Sequence, residues 1–285
     1  MQAMQNPSVI RRVADFLRSC LGRTLSDSLP VGLVLGTGLS QFARHIDGEE
    51  VPYESIPDFP KSSTLSHKGS FVVGSFHGLP LIVQAGRCHL YEGYSPQDVC
   101  MGVRVMHALG IHTLILTNAC GALNPFFRVG SLFMAVDQIN MTGCSPLIGP
   151  NHDAWGVRFP DMSRPFDPAL CLAAEARALA LGIALEKGVY IGVHGPELET
   201  PAETRLYRML GADAIGMSSV LEVICANHLG LRVLELSSVA NKNLPDCMEP
   251  IAIEEIVAAS ERAEGDLLRL LEALVPDLAK ERKTA

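Results

Sequence analysis

Short β-branched and aliphatic runs alternate along this chain with segments that read as helices, and that alternation restricts it to the α/β class. The strand candidates are VGLVL (31–35), SFVVGSF (70–76), PLIVQA (80–85), TLILT (113–117), SLFMAVDQI (131–139), GVYIGV (188–193) and RVLELSSV (232–239). The two runs around HGLP (77–80) read as a hairpin; helices or longer loops separate the others.

The helix signals are explicit. In DPALCLAAEARALALG, Asp167 is a predicted N-cap, Pro168 the first helical residue and Gly182 the stop. TPAETRLYRMLG repeats the scheme with Thr200 and Glu203 as a capping box and Gly211 at its end. SVLEVICANHLG offers Ser219 and Glu222 as a further box, ending at Gly230. A long amphipathic helix is expected from about Ile251 to Leu274, and 142–165 is the one long loop. With no repeat, linker or composition break, residues 1–285 read as a single domain. The expected architecture is a mixed, twisted β-sheet flanked by helices on both faces.

Composition narrows the function. A formal charge of −8 argues against a nucleic-acid or anionic-membrane surface, so any anion site must be a local cluster of basic groups. The eight cysteines form no CxxC pair and no zinc-type spacing, so no metal is expected. Scattered thiols without a leader segment or a transmembrane-length apolar run fit a reducing cytoplasm.

In α/β sheets, ligands collect beyond the carboxyl ends of the strands, and here those ends carry polar groups or glycine turns. VGLVL leads into GTGLS (36–40), where backbone N–H groups around Thr37 could converge on an anion. The turn lacks both the dinucleotide fingerprint and the lysine of a nucleotide P-loop; alone it is equally a tight turn. TLILT leads into NACGALN (118–124), a small-residue turn open to close ligand approach. GVYIGV leads into HGPELET, which sets Glu199 just before a capped helix. GADAI leads into GMSS, putting Met217 and Ser218 at a helix N-terminus. RVLELSSV leads into ANKN (240–243). In AGRCHLYEGY (85–94), Arg87, His89 and Tyr91 alternate and would share one face of an extended chain. Together these parts suit a ligand with a phosphate-like anion, a face that packs on an aromatic ring and a methionine, and a group read by an amide and a carboxylate. A nucleoside plus phosphate has those parts.

Over nearly its whole length, from GLVLGTGLS to IEEIVAAS, the chain resembles the trimeric, low-molecular-mass purine nucleoside phosphorylases. The matching stretches include IPDFPKSSTLSHKG, GRCHLYEGYSP, VMHALGIHTLILTNACGALNP, GPNHDAWGVRFPDMS, GPELETPAETRLYRMLGADAIGMSSV and ANK. The resemblance implies phosphorolysis of a purine ribonucleoside to ribose 1-phosphate and free base, with inorganic phosphate as co-substrate and no cofactor. It implies a phosphate site of Thr37, His67, Arg87, His89, Ala119 and Ser218, with Tyr91 and Met217 along the ribose. It implies a base site of Gly121, Leu198, Glu199, Asn241 and Lys242, with His89, Glu199 and Asn241 as the catalytic residues. Phe159 would reach a neighbouring subunit's site, hence a homotrimer.

A carboxylate that only accepts suits the N1–H of hypoxanthine and guanine and opposes the N1 lone pair of adenine, so inosine and guanosine are the expected substrates. The chain departs from the pattern in places. Leu198 stands where many relatives have an aromatic, Leu221 where a proline is usual, and Ser66 where a glycine usually precedes His67. Ile253 stands where relatives have a histidine for the ribose 5′-hydroxyl, and an alignment without a gap would put Glu255 there. The alternatives are a 5′-methylthioadenosine-type phosphorylase, to which Ile253 lends support, a nucleoside hydrolase, and a non-catalytic nucleoside-binding protein.

Overall fold

Two parallel strands form the spine: β5 (Thr113–Ala122) and β9 (Arg232–Lys242) pair along their whole length. They are seen in a computed structural model that describes residues 7–21, 31–36, 40–62 and 69–280. Outward from β5 on one side lie β1 (Val31–Leu35), β4 (Leu79–Ala85), β3 (Ser70–Phe76) and β2 (Asp47–Pro52). On the other side β8 (Ala214–Gly216), β7 (Leu185–Gly192) and β6 (Leu132–Asn140) lead round to β9. Because β9 pairs with β6 as well as β5, this half closes into a ring, while the first half remains an open sheet. The expected mixed sheet is therefore present, and the ring closure is a feature that strand periodicity does not encode.

Helices cover both faces, as expected. On one face α1 (Pro7–Leu21), α2 (Pro96–Val99), α3 (Met101–Ala108) and α6 (Val220–His228) bury Leu17, Val99, Val103, Met106 and Val223 against the strands. On the other, α4 (Pro168–Leu181) and α7 (Ile253–Lys280) bury Leu170, Ala174, Leu267 and Leu270. α5 (Pro201–Met209) lies between β7 and β8 in the chain.

Local chemistry explains most of these boundaries. The Asp167 carboxylate accepts the Leu170 N–H at 2.9 Å, and Gly182 closes α4 at φ 66. Arg232 at the start of β9 donates to both Asp167 oxygens, at 2.8 and 2.9 Å, and holds that carboxyl below its ordinary range. The Thr200–Glu203 capping box is formed as read. In the HGLP hairpin, His77 (φ 48) and Gly78 (φ 78) both take left-handed backbone, the geometry that matches strand twist.

Other expectations need correction. The Ser219–Glu222 capping box does not form: Ser219 is helical at φ −56 and makes no side-chain cap. Both side chains are instead drawn into a buried polar cluster beneath the site. The NACGA stretch is not a turn but the end of β5, and ANK likewise completes β9. Small residues there let β8 and β9 approach β5 from both sides. The last helix runs to Lys280 rather than Leu274. α1 and β2 fall outside the expected elements, β2 because its burial pattern is almost wholly exposed and carries no apolar signal.

Candidate active site

The carboxyl ends of β5 and β9, the β8–α6 junction and the turn before α5 surround a cavity of about 670 Å³, mouth included. His89, Tyr91, Ala119, Gly121, Leu198, Glu199, Met217, Ser218, Asn241 and Ile253 all line it, as the sequence reading expects. Cys120, Ile215, Gly216, Asn243 and Ile256 complete the wall. A register shift between Cys120 and Gly121 sets Gly121 opposite Asn241 and skips Ala240, the local kink of a β-bulge.

At one end stand His89 and Tyr91, their rings stacked at 4.6 Å and 13°. His89 is buried, and its Nδ1 meets Glu92 Oε1 at 2.9 Å. Burial lowers the imidazole pKa more than the Glu92 hydrogen bond raises it. The ring is then neutral at neutral pH, with its proton on Nδ1 toward the carboxylate and an acceptor lone pair on Nε2. Ala119, on β5, and Ser218, just before α6, also line the wall.

At the other end a polar row crosses the cavity. Asn243 Nδ2 donates to Glu199 Oε2 at 2.5 Å, and Asn241 Nδ2 donates to Asn243 Oδ1 at 2.6 Å. Gly121 makes room for the row: a Cβ there would lie 2.9 Å from Asn243 Nδ2 and 3.1 Å from Asn241 Oδ1. Burial pushes the Glu199 carboxyl pKa up, with Glu203 adding to the rise and the Asn243 hydrogen bond opposing it. Of the wall residues to which the sequence reading gave no role, Asn243 is the one with a side-chain amide in the polar row. Its signal was present in ANKN, where positions 241 and 243 share a face and Lys242 points the other way.

The structure separates two residues expected at this chain's own site, Arg87 and Lys242, from the cavity. Arg87 is fully buried, its Nε 3.0 Å from Glu222 Oε2, and its Nη1 donates to the Thr117 carbonyl at 2.6 Å. It does not line the wall but lies below, against Gly36, the first residue of the GTGLS turn. A fixed cation 1% exposed needs a counter-charge, and the Glu222 carboxylate supplies it. Lys242 is exposed and donates to the Pro125 carbonyl at 3.2 Å, outside the cavity. Phe159 is 86% exposed on its loop and does not line this chain's cavity. Thr37 and His67 lie outside the described residues.

Under the His89 end sits the cluster that claims Ser219. Ser219 Oγ donates to Glu235 Oε1 at 2.6 Å, and Asn118 Nδ2 donates to the same oxygen at 2.8 Å. Burial raises the Glu235 carboxyl to about 7. Ile253, in the first turn of α7, lines the cavity, whereas Glu255 accepts from the Ala252 N–H at 3.3 Å and lines a separate cavity with Arg262. Of the two candidates for the ribose 5′ end, only Ile253 faces the site.

This fold and this cavity define a class: the chain belongs to the phosphorylase superfamily, whose family pattern matches residues 30–276. Purine nucleoside phosphorylase 1 of Bacillus subtilis is 44% identical over 267 residues, covering 93% of this chain and 97% of the relative. The Mus musculus purine nucleoside phosphorylase is 41% identical over 256 residues, 87% of this chain and 89% of its own. Among solved structures, Schistosoma mansoni purine nucleoside phosphorylase in complex with adenosine superposes with a TM-score of 0.87 at 32% identity. The match covers 95% of this chain and 97% of that one. The reaction of this chain is purine nucleoside phosphorolysis, with the nucleoside and phosphate as substrates.

Among the described residues, no group of three or more His, Cys, Asp or Glu could hold a metal ion. No described helix is long and apolar enough to cross a membrane.

Proposed function

We propose that the enzyme cleaves 6-oxopurine ribonucleosides, inosine and guanosine, to the free base and ribose 1-phosphate. The observation that carries this reading is the polar row at the base end. Glu199, ionised and held by Asn243, offers only acceptors and suits an N1–H donor. Asn241 has a second Nδ2 proton beyond the one given to Asn243 and directs it at the purine.

The phosphate binds at the other end, between Ser218, Ala119 and His89, with the Arg87–Glu222 pair below; the resemblance adds Thr37 and His67 to the same site. Neutral His89, its Nδ1–H held by Glu92, offers Nε2 as an acceptor to a phosphate hydroxyl and so orients the phosphate for attack on C1′. Tyr91 and Met217 lie along the ribose. C–N cleavage builds positive charge on the sugar, next to the phosphate, and negative charge on the purine, next to Asn241. Phosphate is the co-substrate, no further cofactor takes part, and the enzyme works in the cytoplasm.

The test is release of base from inosine, guanosine and adenosine, each with and without phosphate. Inosine and guanosine should exceed adenosine in kcat/KM by roughly 10⁴. Base release should vanish in phosphate-free buffer, and equal rates there would point to a hydrolase.

One observation favours a second reading, a 5′-methylthioadenosine-type phosphorylase: Ile253 gives the ribose 5′ end an apolar wall. Burying a 5′-hydroxyl against it unpaired costs about 1–3 kcal/mol. On this basis 5′-deoxyinosine should be turned over with kcat/KM within about tenfold of inosine, a gap of roughly 1.4 kcal/mol. Ile253→His should restore preference for the hydroxyl. A hundredfold wild-type preference for inosine over its 5′-deoxy analogue would remove the support that Ile253 lends.

The assembly is a homotrimer in which Phe159 completes a neighbour's site. Support comes from the loop itself, which exposes Ile148 (66%), Val157 (67%) and Phe159 (86%) together. Activity should fall on dilution below the assembly constant, and Phe159→Ala should raise KM for the nucleoside. An active monomer in sedimentation would defeat the trimer.

A further inference from the structure

We propose that Asn243 is a specificity-determining positioning residue, a one-way hydrogen-bond relay that fixes the Glu199 carboxylate as the acceptor and the Asn241 amide as the donor presented to the base. The inference rests on the 6-oxopurine reading and adds the device that enforces it.

The direction of the relay follows from hydrogen-bond inventory. An ionised carboxylate can only accept, so Asn243 must turn Nδ2 toward Glu199, which it does at 2.5 Å. Its Oδ1 then faces the other way and can only accept, so Asn241 must turn Nδ2 toward it, which it does at 2.6 Å. Asn241 thus presents the same nitrogen, with its second proton, to the cavity. Were Glu199 a neutral acid donating its proton, Asn243 would be free to turn over, and Asn241 would then meet it with Oδ1. One charge thereby sets the orientation of two amides.

Asn243 is held firmly enough to transmit that choice. It is 7% exposed, its backbone N–H donates to the Ala122 carbonyl at 2.8 Å, and Gly121 packs against its amide. The other ionisable groups near Glu199 do not compete for the relay. Glu203 is committed to Thr200 in the α5 capping box, Glu197 and Tyr207 flank the turn, and Lys242 is turned to the Pro125 carbonyl.

The experiment measures kcat/KM for inosine and adenosine against pH in wild type, Asn243→Leu and Asn243→Asp. Asn243→Leu keeps the branched heavy-atom shape but removes the relay: inosine should lose about tenfold to hundredfold, with adenosine little changed. The wild-type inosine-to-adenosine ratio should fall as pH drops through the raised Glu199 pKa. In Asn243→Leu that fall should move to higher pH, because the ionised carboxylate has lost a donor.

Asn243→Asp sets two carboxyls at hydrogen-bond distance, where they hold one proton between them near neutrality. That proton is spent between the two carboxyls and removes the full charge of the Glu199 acceptor, so inosine should fall at least about tenfold while adenosine changes little. A residue with a merely structural role would lower both substrates alike and leave the midpoint in place. If Asn243→Leu does not fold, the nearly isosteric Asn243→Asp carries the same readout. A wild type that prefers inosine, with ratio and midpoint unchanged in the variants, overturns the relay alone. A wild type without that preference overturns the 6-oxopurine reading itself, and the relay's specificity role with it.

Discussion

Arg87→Ala should destabilise the fold by roughly 3–5 kcal/mol, the cost of breaking one side of a buried ion pair. The reason lies in what is left behind. Glu222 is 1% exposed, and its carboxyl pKa is already raised by burial, with Arg87 the main opposing influence. Without the guanidinium it must take up a proton or keep an unpaired charge in the interior. The Thr117 carbonyl also loses its 2.6 Å donor. The sign with pH follows. Removing Arg87 raises the folded-state pKa of Glu222 further above its unfolded value. The penalty is therefore smallest at low pH, where both states are protonated, and grows as pH rises past the unfolded value.

Urea unfolding at two pH values measures it, and a loss below about 1 kcal/mol at neutral pH would show that the pair contributes little. Replacing both partners, as in Arg87→Leu with Glu222→Leu, should cost less than Arg87→Ala alone, because no charge is stranded. From the sequence, Arg87→Ala would be expected to raise KM for phosphate far more than for inosine. The buried pair changes how that experiment is read: a phosphate effect is meaningful only at a temperature where the variant is shown to be folded.

Arg87 also shows where sequence reasoning reached its limit. Its position at a strand end, two residues from His89, was legible from period-2 spacing, and His89 and Tyr91 do line the cavity. What spacing could not supply was the partner. Glu222 is 135 residues away in number, on α6, and its spacing from Ser219 mimicked a capping box. A capping box is a local pattern that a stronger long-range claim can override, and the Arg87 guanidinium and Glu235–Asn118 pair make that claim. By contrast, the Asp167 and Thr200 caps were read correctly because their side chains bond only to the adjacent helix start or, for Asp167, also to Arg232.

The cavity wall was largely visible because strand ends collect there, and so do small residues. The closure of β6 against β9 was not, since nothing in the alternation of apolar residues says which edge a strand will join. β2 was missed for the opposite reason: its pairing with β3 is made by backbone, under side chains that are nearly all exposed.

Asn241→Ala should lower kcat on inosine by about 10²–10³, some 2.7–4 kcal/mol, as expected when one donor to a developing anion is removed. As the C–N bond breaks, the purine takes up the bonding electrons, and the charge spreads onto the ring edge that faces the base end of the cavity. Asn241 Nδ2 is anchored to Asn243 and its Oδ1 lies beside Gly121, so on the proposed reading the second Nδ2 proton is oriented before charge appears and no water need reorganise. That is an interaction stronger in the transition state than in the ground state, so kcat should fall much more than KM rises. A second substrate isolates the cause. In 7-methylguanosine the base is already cationic and leaves uncharged, so the same substitution should cost it at least tenfold less than it costs inosine. Equal losses on both nucleosides would mean that Asn241→Ala has disturbed the cavity rather than removed a leaving-group donor. A rise in KM with kcat unchanged would confine Asn241 to holding the nucleoside before reaction, and the leaving-group role would then have to move to another group in the cavity.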